Sequence, residues 1–355
     1  MTSVPPRPTL VSRLPLALGL VAAVVSLAAC DVVGGITGGD GGGVVRHDVA
    51  AFPVQIDSLW GFADREGRLV APPRFDFADE VYGGLSAVRQ GALWGYARPD
   101  GAVAVEPQFQ VAGRFTGPLA PVRRADGWAF VDAGGAVVGE GGYDSAGPFA
   151  DGRAAVRRGL LWGFVDGAGA VAVEPQFAAV GPFAHGLAAV QTGDGWRYVD
   201  RDGAFAFDGA FAEAGPFGDV GLAPVREAGS EAWKYVDRSG RIALNEAFDA
   251  AAPFAEGYAA VRVGGRTAFV DRDGAYLVGP ELAEAGSFSE GLAAVRFNKR
   301  WTYVRRDDGR VVAGPAFESA APFRGGLAQV TVGSGDKERV GYVDETGAYV
   351  WQPTQ

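Results

Sequence analysis

The chain is poor in the residues that most catalytic and metal sites require. Its 355 residues include one cysteine, one methionine and two histidines, His47 and His185. A single cysteine excludes a disulfide within the chain. The sequence also contains no Gly-x-Ser-x-Gly elbow, no dinucleotide-binding glycine fingerprint and no His/Cys cluster with metal-ligand spacing. We therefore predict a protein that is not an enzyme and that uses no metal or other cofactor.

Helical patterns are also missing after residue 50. The chain contains 55 glycines and 21 prolines, and they recur too often for a run of about ten residues to keep a helical apolar stripe. Aromatic and β-branched residues are frequent between them, which is typical of short strands joined by turns. The sequence therefore predicts an all-β fold.

The first 29 residues have the pattern of an export signal. Arg7 and Arg13 precede an apolar run from Leu14 to Ala29 that ends in small residues. The run is too short and too rich in alanine for a permanent membrane span. Its last residues, with the next one, form the motif Leu-Ala-Ala-Cys, which ends at Cys30. This motif resembles the lipobox of bacterial lipoproteins, in which the cysteine becomes the first residue of the mature protein and carries the acyl chains.

These features predict the organisation and the location of the chain. Residues 1–29 are a lipoprotein signal peptide, residues 30–49 are a Gly-rich tether, and residues 50–355 form a β domain of tandem repeats, described below. The resemblance implies a protein of the bacterial cell envelope that is held to the membrane by lipid at Cys30. Whether it faces the periplasm or the cell surface stays open.

Positive charge is the scarcer sign. The chain has 32 Lys and Arg against 42 Asp and Glu, a net charge of −10. Loss of residues 1–29 removes two arginines and no acid, so the mature chain has a net charge of −12. This balance favours solubility and argues against nucleic acid as a partner.

A regular spacing of tryptophans dominates the chain after residue 50. The first five repeat every 34 residues, the next step is 37, and the last two are two steps of 34 apart with Thr267 midway. Val340 opens the last copy. A fixed period of this length indicates tandem units, which usually present an extended binding surface. The column consists of Trp60, Trp94, Trp128, Trp162, Trp196, Trp233 and Trp301.

The residue pattern of each copy predicts three strands. The first begins at the tryptophan, carries a second aromatic two residues later and ends in an Asp-x-x-Gly turn, as at Asp166–Gly169. The second ends at Pro-x-Phe, because proline cannot donate to a strand ladder. A connection with another phenylalanine leads to the third strand, as in Leu187–Val190. Since Val54 lies 34 residues before Val88, the array begins with a third strand, ends near Val350 and contains nine three-stranded antiparallel units.

The full pattern resembles a known family. Trp-Gly-aromatic-Val/Ala-Asp-x-x-Gly, then Pro-x-Phe, then Phe-x-x-Gly-Leu-Ala-x-Val is similar to the bacterial WG repeat over residues 51–351. Proteins of this kind are mostly bacterial, often exported and mostly without a defined biochemical role, so the resemblance implies an architecture rather than an activity. The glycine after Trp is replaced by Arg197 and Lys234, from which we expect this column to face solvent or a rim.

We predict that the nine units of ~34 residues form an open, curved, solenoid-like array. The unit is shorter than a typical four-stranded propeller blade, which favours the open form. The alternative is a closed, propeller-like ring, because an open array needs capped ends and no clear cap is visible. Trp351 lies out of register and is a candidate cap contact.

Two repeated columns are candidate binding surfaces. The tryptophans could stack on a ligand, but their recurrence in nearly every copy favours a structural aromatic column in the core. The second column is an arginine that follows the third strand's valine, and it could hold carboxylates or phosphates. Pairing of each arginine with a nearby acid is the plainer interpretation. This arginine ladder consists of Arg89, Arg123, Arg157, Arg226, Arg262 and Arg296.

The sequence therefore favours a non-enzymatic binding or scaffolding lipoprotein of the envelope, with an envelope protein or polysaccharide as its partner. A glycan or peptide hydrolase is the first alternative, because a carboxylate pair can be assembled by folding alone. Such a site should interrupt the repeat where it lies. A purely structural spacer is the second alternative.

Overall fold

The computed structural model describes residues 51–312, 317–333 and 338–352. All of these residues lie in one compact unit. The predicted signal peptide, Cys30, His47 and the predicted tether therefore lie outside the described residues. Within the described ranges no helix is long and apolar enough to cross a membrane.

Thirty-three strands of the described ranges form nine antiparallel sheets, which we call blades 1–9 in chain order. Blades 1–3 are β1 (Phe52–Ile56), β2 (Leu59–Ala63), β3 (Leu69–Phe75); β4 (Phe77–Tyr82), β5 (Leu85–Gln90), β6 (Leu93–Ala97), β7 (Val103–Phe109); β8 (Val111–Ala112), β9 (Ala120–Arg124), β10 (Gly127–Val131), β11 (Val137–Tyr143). Blades 4–6 are β12 (Ser145–Ala150), β13 (Arg153–Arg158), β14 (Leu161–Asp166), β15 (Val171–Phe177); β16 (Ala179–Val180), β17 (Ala188–Thr192), β18 (Gly195–Val199); β19 (Glu213–Ala214), β20 (Ala223–Arg226), β21 (Trp233–Val236), β22 (Ile242–Phe248). Blades 7–9 are β23 (Ala250–Ala251), β24 (Tyr258–Val263), β25 (Arg266–Asp271), β26 (Tyr276–Leu282); β27 (Glu284–Ser289), β28 (Leu292–Phe297), β29 (Arg300–Arg305); β30 (Ser319–Ala320), β31 (Leu327–Val332), β32 (Arg339–Asp344), β33 (Tyr349–Trp351).

The prediction of an all-β fold of nine units is confirmed, but the three-stranded unit is wrong for most blades. Six sheets have four strands among the described residues, which we call first, second, third and outer in chain order. The added first strand lies in the connection that the sequence pattern left without structure. It is often only two residues long, as in Glu213–Ala214, and it is rich in Ala, so it has no alternating apolar pattern to detect.

The hairpin between the third and outer strands forms as the Asp-x-x-Gly motif predicts. In blade 6, Asp237 Oδ1 accepts hydrogen bonds from the backbone N–H groups of Ser239 (2.8 Å) and Arg241 (3.1 Å). The hydroxyl of Ser239 also donates to this oxygen and, with those N–H groups, lowers the pKa of Asp237. Gly240 closes the turn with a φ of 81°, a conformation that glycine adopts without strain.

Adjacent blades share their cores. Tyr235 in the third strand of blade 6 lies 4.9 Å, centroid to centroid, from Phe254 of blade 7. Its hydroxyl donates to the Ala252 carbonyl at 2.6 Å. Both rings are at most 3% exposed, and burial of such a side chain contributes roughly 1.5–3 kcal/mol. The same aromatic pair joins blades 2 and 3, 3 and 4, 4 and 5, 5 and 6, 7 and 8, and 8 and 9.

The array closes into a ring, so the prediction of an open solenoid is wrong and the alternative of a propeller-like ring is favoured. Tyr342 of blade 9 donates to the Pro53 carbonyl of blade 1 at 2.9 Å and lies 5.3 Å from the Phe52 ring. A β-carbon placed on Gly67 of blade 1 would lie 2.4 Å from the Val350 carbonyl oxygen of blade 9. The seam therefore repeats the contacts of an ordinary interface, which buries both ends without caps.

The first strands lie nearest the ring axis. Arg324, just before the second strand of blade 9, approaches Glu80 of blade 2 to 3.6 Å, although blade 1 stands between those blades. Only near the axis are non-adjacent blades this close. Antiparallel order then places the first–second and third–outer turns at one end of the ring, which we call the Asp-turn end. The second–third turns lie at the opposite end, which we call the ladder end.

The glycine after Trp is buried, so the expectation that this column faces solvent is wrong. A β-carbon on Gly95 would lie 2.3 Å from the Val105 carbonyl oxygen in the outer strand of the same blade. The pairing of the outer strand with the third strand shifts register at this glycine. The outer-strand backbone therefore lies unusually close to the third strand here. Where Ala129 replaces the glycine, the outer strand supplies Gly141 opposite it. Arg197 and Lys234 are half-buried at the same position.

Candidate functional site

The arginine ladder lies at the ladder end, where the second strand meets its turn. Each ladder arginine of blades 2, 3, 4, 6 and 8 is directly opposite the tryptophan of its own blade, as Arg89 is opposite Trp94. In blade 7, Arg262 faces Thr267, which replaces the tryptophan. Guanidinium carbons lie about 6 Å from the tryptophan rings of Trp94, Trp162 and Trp301, within cation–π range. The tryptophan therefore orients the arginine above it.

Two of the six ladder arginines pair with acids of their own blade. Arg226 bonds to Glu213 at 2.5 Å, and Arg296 bonds to Glu284. The hydrogen bond that Arg226 donates to Glu213 raises the pKa of Arg226. Within the described part of the chain, no carboxylate lies within 4 Å of the other four, which are Arg89, Arg123, Arg157 and Arg262. Ion pairs within the blade thus account for two of the six ladder arginines. The other four have no carboxylate partner among the described residues.

The tryptophan column is half-buried throughout. Six of its seven members pack against the core clusters that contain the third-strand aromatics, and Trp162 does not. Trp351 is not an exposed cap, because it pairs with Tyr342 in blade 9 and packs against the seam core. His185 lies at the Asp-turn end with a φ of 51°, where its carbonyl accepts a 2.6 Å hydrogen bond from Arg238.

A second group of polar side chains lies at the axis and was not anticipated from the sequence. We call it the axial cluster, and it consists of Asp79, Glu80, Tyr82, Arg114 and Arg324. At the position of Asp79 the other described first-strand segments have only Gly or Ala, and at that of Glu80 they have mostly Pro. At the position of Tyr82 and Arg324 they have small residues. The axial cluster is therefore where the repeat is interrupted along the axis.

Hydrogen bonds fix most of the axial cluster. Arg114 donates to both carboxylate oxygens of Asp79, each at 2.8 Å, and to the Tyr82 hydroxyl at 2.9 Å. Burial lowers the pKa of Arg114, but the Asp79 carboxylate outweighs it, so the pKa lies above its ordinary value. The Tyr82 hydroxyl donates to Glu80 at 3.1 Å. Bidentate, charge-assisted bonds of this kind hold both partners in one orientation.

Arg324 is held differently. Its guanidinium carbon lies 3.4 Å from the Tyr82 ring centroid, and that of Arg114 lies 4.7 Å from the same centroid. Its closest carboxylate oxygen is Glu80 Oε2 at 3.6 Å, beyond hydrogen-bond distance. Its Nε and Nη1 are shielded from solvent and make no hydrogen bond in the part of the chain that the structure describes. Donors of this kind lack an acceptor that a ligand or a water can supply.

A cleft of about 130 Å³ opens beside the axial cluster. One wall is polar and is formed by Asp79, Glu80, Arg114 and Gln329. The facing wall is apolar and is formed by Trp60, Phe77, Val340 and Pro53. Blades 9, 1, 2 and 3 all contribute, so this site exists only because the ring closes.

Sequence reasoning missed the axial cluster because it searched for breaks in length rather than in polarity. The most visible irregularity in length, Glu227–Ala232, lies in a second–third turn and not at the axis. The available signal was the pair of acids at positions 79 and 80, where the other copies have Gly and Pro. Among the described residues no group of three or more His, Cys, Asp or Glu side chains is placed to hold a metal ion.

A family model described as "WG containing repeat" matches eight consecutive stretches of the chain, residues 60–94, 94–128, 128–159, 162–196, 196–229, 233–266, 268–301 and 301–334. These stretches begin in a third strand and end near the third strand of the following blade. A ninth stretch would have to pass from the end of the chain to its beginning, across the seam. Eight matches and nine blades are therefore consistent.

Solved structures resemble this chain in fold. A chain described as a eukaryotic initiation factor superimposes with a TM-score of 0.61 at 13% identity, over 85% of this chain and 94% of its own. The dihydro-heme d1 dehydrogenase NirN gives 0.44 at 11% identity over 76% and 73%, respectively. Hsv2p of Kluyveromyces lactis gives 0.40 at 9% identity over 79% and 97%. The first shows a shared fold and no more, and the other two are too distant to support an argument. No curated protein sequence matches the chain.

Proposed function

Because this chain belongs to the WG containing repeat family, we propose that it is a non-enzymatic binding or scaffolding lipoprotein of the bacterial cell envelope. Its binding surface is the ladder end of the ring, and its partner is an acidic envelope protein or polysaccharide. The anchor is a lipid at Cys30, which places the protein on the periplasmic side or on the cell surface. This location rests on the Leu-Ala-Ala-Cys motif alone.

The observation that carries the proposal is the set of four ladder arginines without a carboxylate partner. Arg123 and Arg262 are exposed, whereas Arg89 and Arg157 are half-buried over tryptophans. Arginine forks that are already oriented lose less side-chain entropy when they bind a carboxylate or a phosphate. Because the four lie on blades 2, 3, 4 and 7, a partner that touches several of them must be extended, as a polymer or a protein surface is.

The hydrolase alternative has one specific observation in its favour, the neighbouring carboxylates of Asp79 and Glu80 beside the axial cleft. Both Asp79 oxygens accept hydrogen bonds from Arg114. Both oxygens of this carboxylate are thus engaged in a bidentate ion pair, which is a structural contact and not a catalytic one. We therefore place the binding role ahead of the hydrolase. The spacer alternative predicts no specific partner for either end of the ring.

The test is a pull-down from envelope extract with the full chain and two charge-matched variants. The ladder variant changes Arg89, Arg123, Arg157 and Arg262 to Gln. The control variant changes Arg98, Arg241, Arg272 and Arg305 to Gln, which are four exposed arginines of the Asp-turn end. Both variants lose four positive charges, so a difference between them reports position and not net charge. Circular dichroism must first show that all three proteins are folded.

A partner retained by the unmodified chain and by the control variant, but lost by the ladder variant, supports the proposal. Equal loss in both variants would reduce the ladder to a contribution of general charge. Binding that survives in both would move the site elsewhere on the ring. Specific release of a saccharide or peptide from the extract by the unmodified chain would favour the hydrolase, and the absence of any partner would favour the spacer.

A further inference from the structure

We propose that the axial cleft is a second binding site, distinct from the ladder arginines, and that it takes one uncharged sugar unit of a glycan. None of the ladder arginines lines the cleft, although Phe77 in its wall is paired with Arg89. The proposal therefore does not depend on the ladder being a binding surface. It rests on the walls of the cleft, the charge balance of the axial cluster and the size of the opening.

The two walls of the cleft match the two aspects of a sugar ring. Trp60 and Phe77 form an aromatic pair with their centroids 5.3 Å apart, on the apolar side. The C–H face of a pyranose packs on such a surface by apolar contact. Opposite them, Glu80 offers acceptor oxygens and Gln329 offers an amide, next to Arg114. Sugar hydroxyls donate and accept at once, which suits a wall that contains both donors and acceptors.

The charges of the axial cluster point to an uncharged ligand. Asp79 and Glu80 are balanced by Arg114 and Arg324, with charged atoms 2.8 Å apart for Arg114 and Asp79 and 3.6 Å apart for Arg324 and Glu80. An added carboxylate would meet Asp79 and Glu80, and an added ammonium would meet Arg114, the cation that lines the cleft. Either would be partly desolvated without a partner of its own, which is costly. A hydroxyl has no such penalty.

The size of the cleft limits the ligand to one ring. A buried cavity of about 150 Å³ holds a benzene-sized molecule, and the axial cleft measures about 130 Å³. A sugar ring is larger than benzene, so it can enter this open cleft only in part and must leave the rest of its hydroxyl rim in solvent. A longer glycan would present one unit here, at an end or at a branch. A protein side chain of similar size is the competing occupant, and the experiment below separates the two.

Saturation-transfer NMR on the full chain tests the proposal with four probes at millimolar concentration. Glucose and N-acetylglucosamine are uncharged sugars, glucuronate is the charged sugar, and N-acetyltyrosinamide represents a protein side chain. The cleft variants are Glu80→Gln, which removes a charged acceptor at constant shape, and Gln329→Leu, which removes the amide. The control is Glu106→Gln, an exposed glutamate on the outer strand of blade 2.

We expect at least one uncharged sugar to bind the unmodified chain and the Glu106→Gln control. Loss of a hydrogen bond to a charged group should weaken this binding about tenfold in Glu80→Gln, with a smaller loss in Gln329→Leu. A variant in which Arg123, Arg157 and Arg262 become Gln, with Arg89 kept because it is paired with Phe77, should bind the sugar normally. This last result keeps the axial site distinct from the ladder proposal.

Three results would overturn the inference. Tighter binding of glucuronate than of either uncharged sugar contradicts the charge argument. Binding of N-acetyltyrosinamide but of no sugar makes the cleft a site for a protein side chain. Sugar binding that is equal in the unmodified chain and both cleft variants, or absent from the folded unmodified chain, removes the cleft as a sugar site.

Discussion

The seam between blades 9 and 1 and the interface between blades 6 and 7 use the same contacts with different partners. In both, a buried tyrosine of a third strand packs on a phenylalanine of the next blade and donates to a backbone carbonyl there. Tyr235 reaches a carbonyl 17 residues ahead, whereas Tyr342 reaches one 289 residues behind. The chemistry is shared, and only the path of the chain between the partners differs.

The carbonyl that accepts the tyrosine hydrogen bond also differs between the two interfaces, because blade 1 has no first strand among the described residues. In blade 7 the hydroxyl of Tyr235 bonds to Ala252, next to the first strand, and the N–H of Ala252 bonds to the Ala260 carbonyl in the second strand at 2.9 Å. In blade 1 the corresponding second-strand carbonyl, that of Pro53, accepts the Tyr342 hydroxyl directly. The tyrosine thus bonds one strand deeper at the seam.

Closure of the ring has a modest entropic cost. For a flexible chain, lengthening the loop from 17 to 289 residues costs about 2.5 kcal/mol more. The seam offsets this with burial of Phe52 and Tyr342, both under 5% exposed, and with the reach of Arg324 from blade 9 to blade 2. An interface that repeats eight times along the chain can therefore close the ring once more without new chemistry.

The largest expected effect comes from crowding the seam. Gly67→Ala places a β-carbon 2.4 Å from the Val350 carbonyl oxygen at a φ of 77°, and Gly309→Ala does so 2.8 Å from the Leu277 carbonyl oxygen at an ordinary interface. We expect each to lower the free energy of unfolding in urea by about 2–4 kcal/mol. The control Gly257→Ala has a φ of 87° and open space around its β-carbon, so it should lose only about 1 kcal/mol. If Gly67→Ala were as mild as the control, the seam would not be a packed interface.

The next effect removes one hydroxyl from each interface. Tyr342→Phe and Tyr235→Phe each delete a buried hydrogen bond to a backbone carbonyl and leave the ring packing in place. Each should lower the free energy of unfolding by about 1 kcal/mol, by equal amounts because the two bonds are alike. A clearly smaller loss for Tyr342→Phe, measured by the same urea titration, would mean that the seam is looser than the interior interfaces.

The same tyrosines predict sensitivity to alkali. Burial raises the pKa of Tyr342 and of Tyr235 above the ordinary value of 10.0. The hydroxyls are therefore still protonated in the folded protein when those of the unfolded chain ionise, so stability holds below pH 10 and falls as the pH rises further. The double variant Tyr342→Phe, Tyr235→Phe should show a shallower fall of thermal midpoint above pH 10 than the unmodified chain. An identical slope would contradict the assigned cause.

The smallest expected effect is that of moving the chain ends from the seam to a turn within blade 6. A circular permutant joins residue 352 to residue 51 with about eight Gly and Ser residues and opens the chain within the Glu227–Ala232 turn of blade 6. Because the seam brings the two ends into one core, the permutant should keep the circular dichroism spectrum, the radius of gyration and most of the stability. An open array could not be joined by so short a linker and would unfold.

The sequence predicted the parts of this fold that depend on neighbours along the chain. Asp237 and Gly240 mark a turn because the aspartate bonds the next N–H groups and glycine takes a positive φ. The strand from Trp233 to Val236 follows from its aromatic content. By contrast, the burial of Gly95 depends on the Val105 backbone of another strand, and no local pattern shows that approach.

The candidate sites divide in the same way. The arginine ladder is visible as a column because each arginine follows the same valine in its copy, but which members lack an acid is decided by the folded blades. The axial cluster escaped detection because its residues come from positions 79–82, 114 and 324, and only the closed ring brings them together. A break in polarity within a short strand rich in Ala was the one signal available.

By itself the sequence determined the period, the turns, the third strands and the number of blades, because each of these depends on contacts within one unit of about 34 residues. The tertiary structure alone decided that the array closes, that most blades have a first strand and that Arg324 of blade 9 lies beside Glu80 of blade 2 near the axis. The physical reason is that closure depends on the small rotation between adjacent blades. That rotation is set by side-chain packing at each interface and accumulates over nine blades, so no single repeat encodes it.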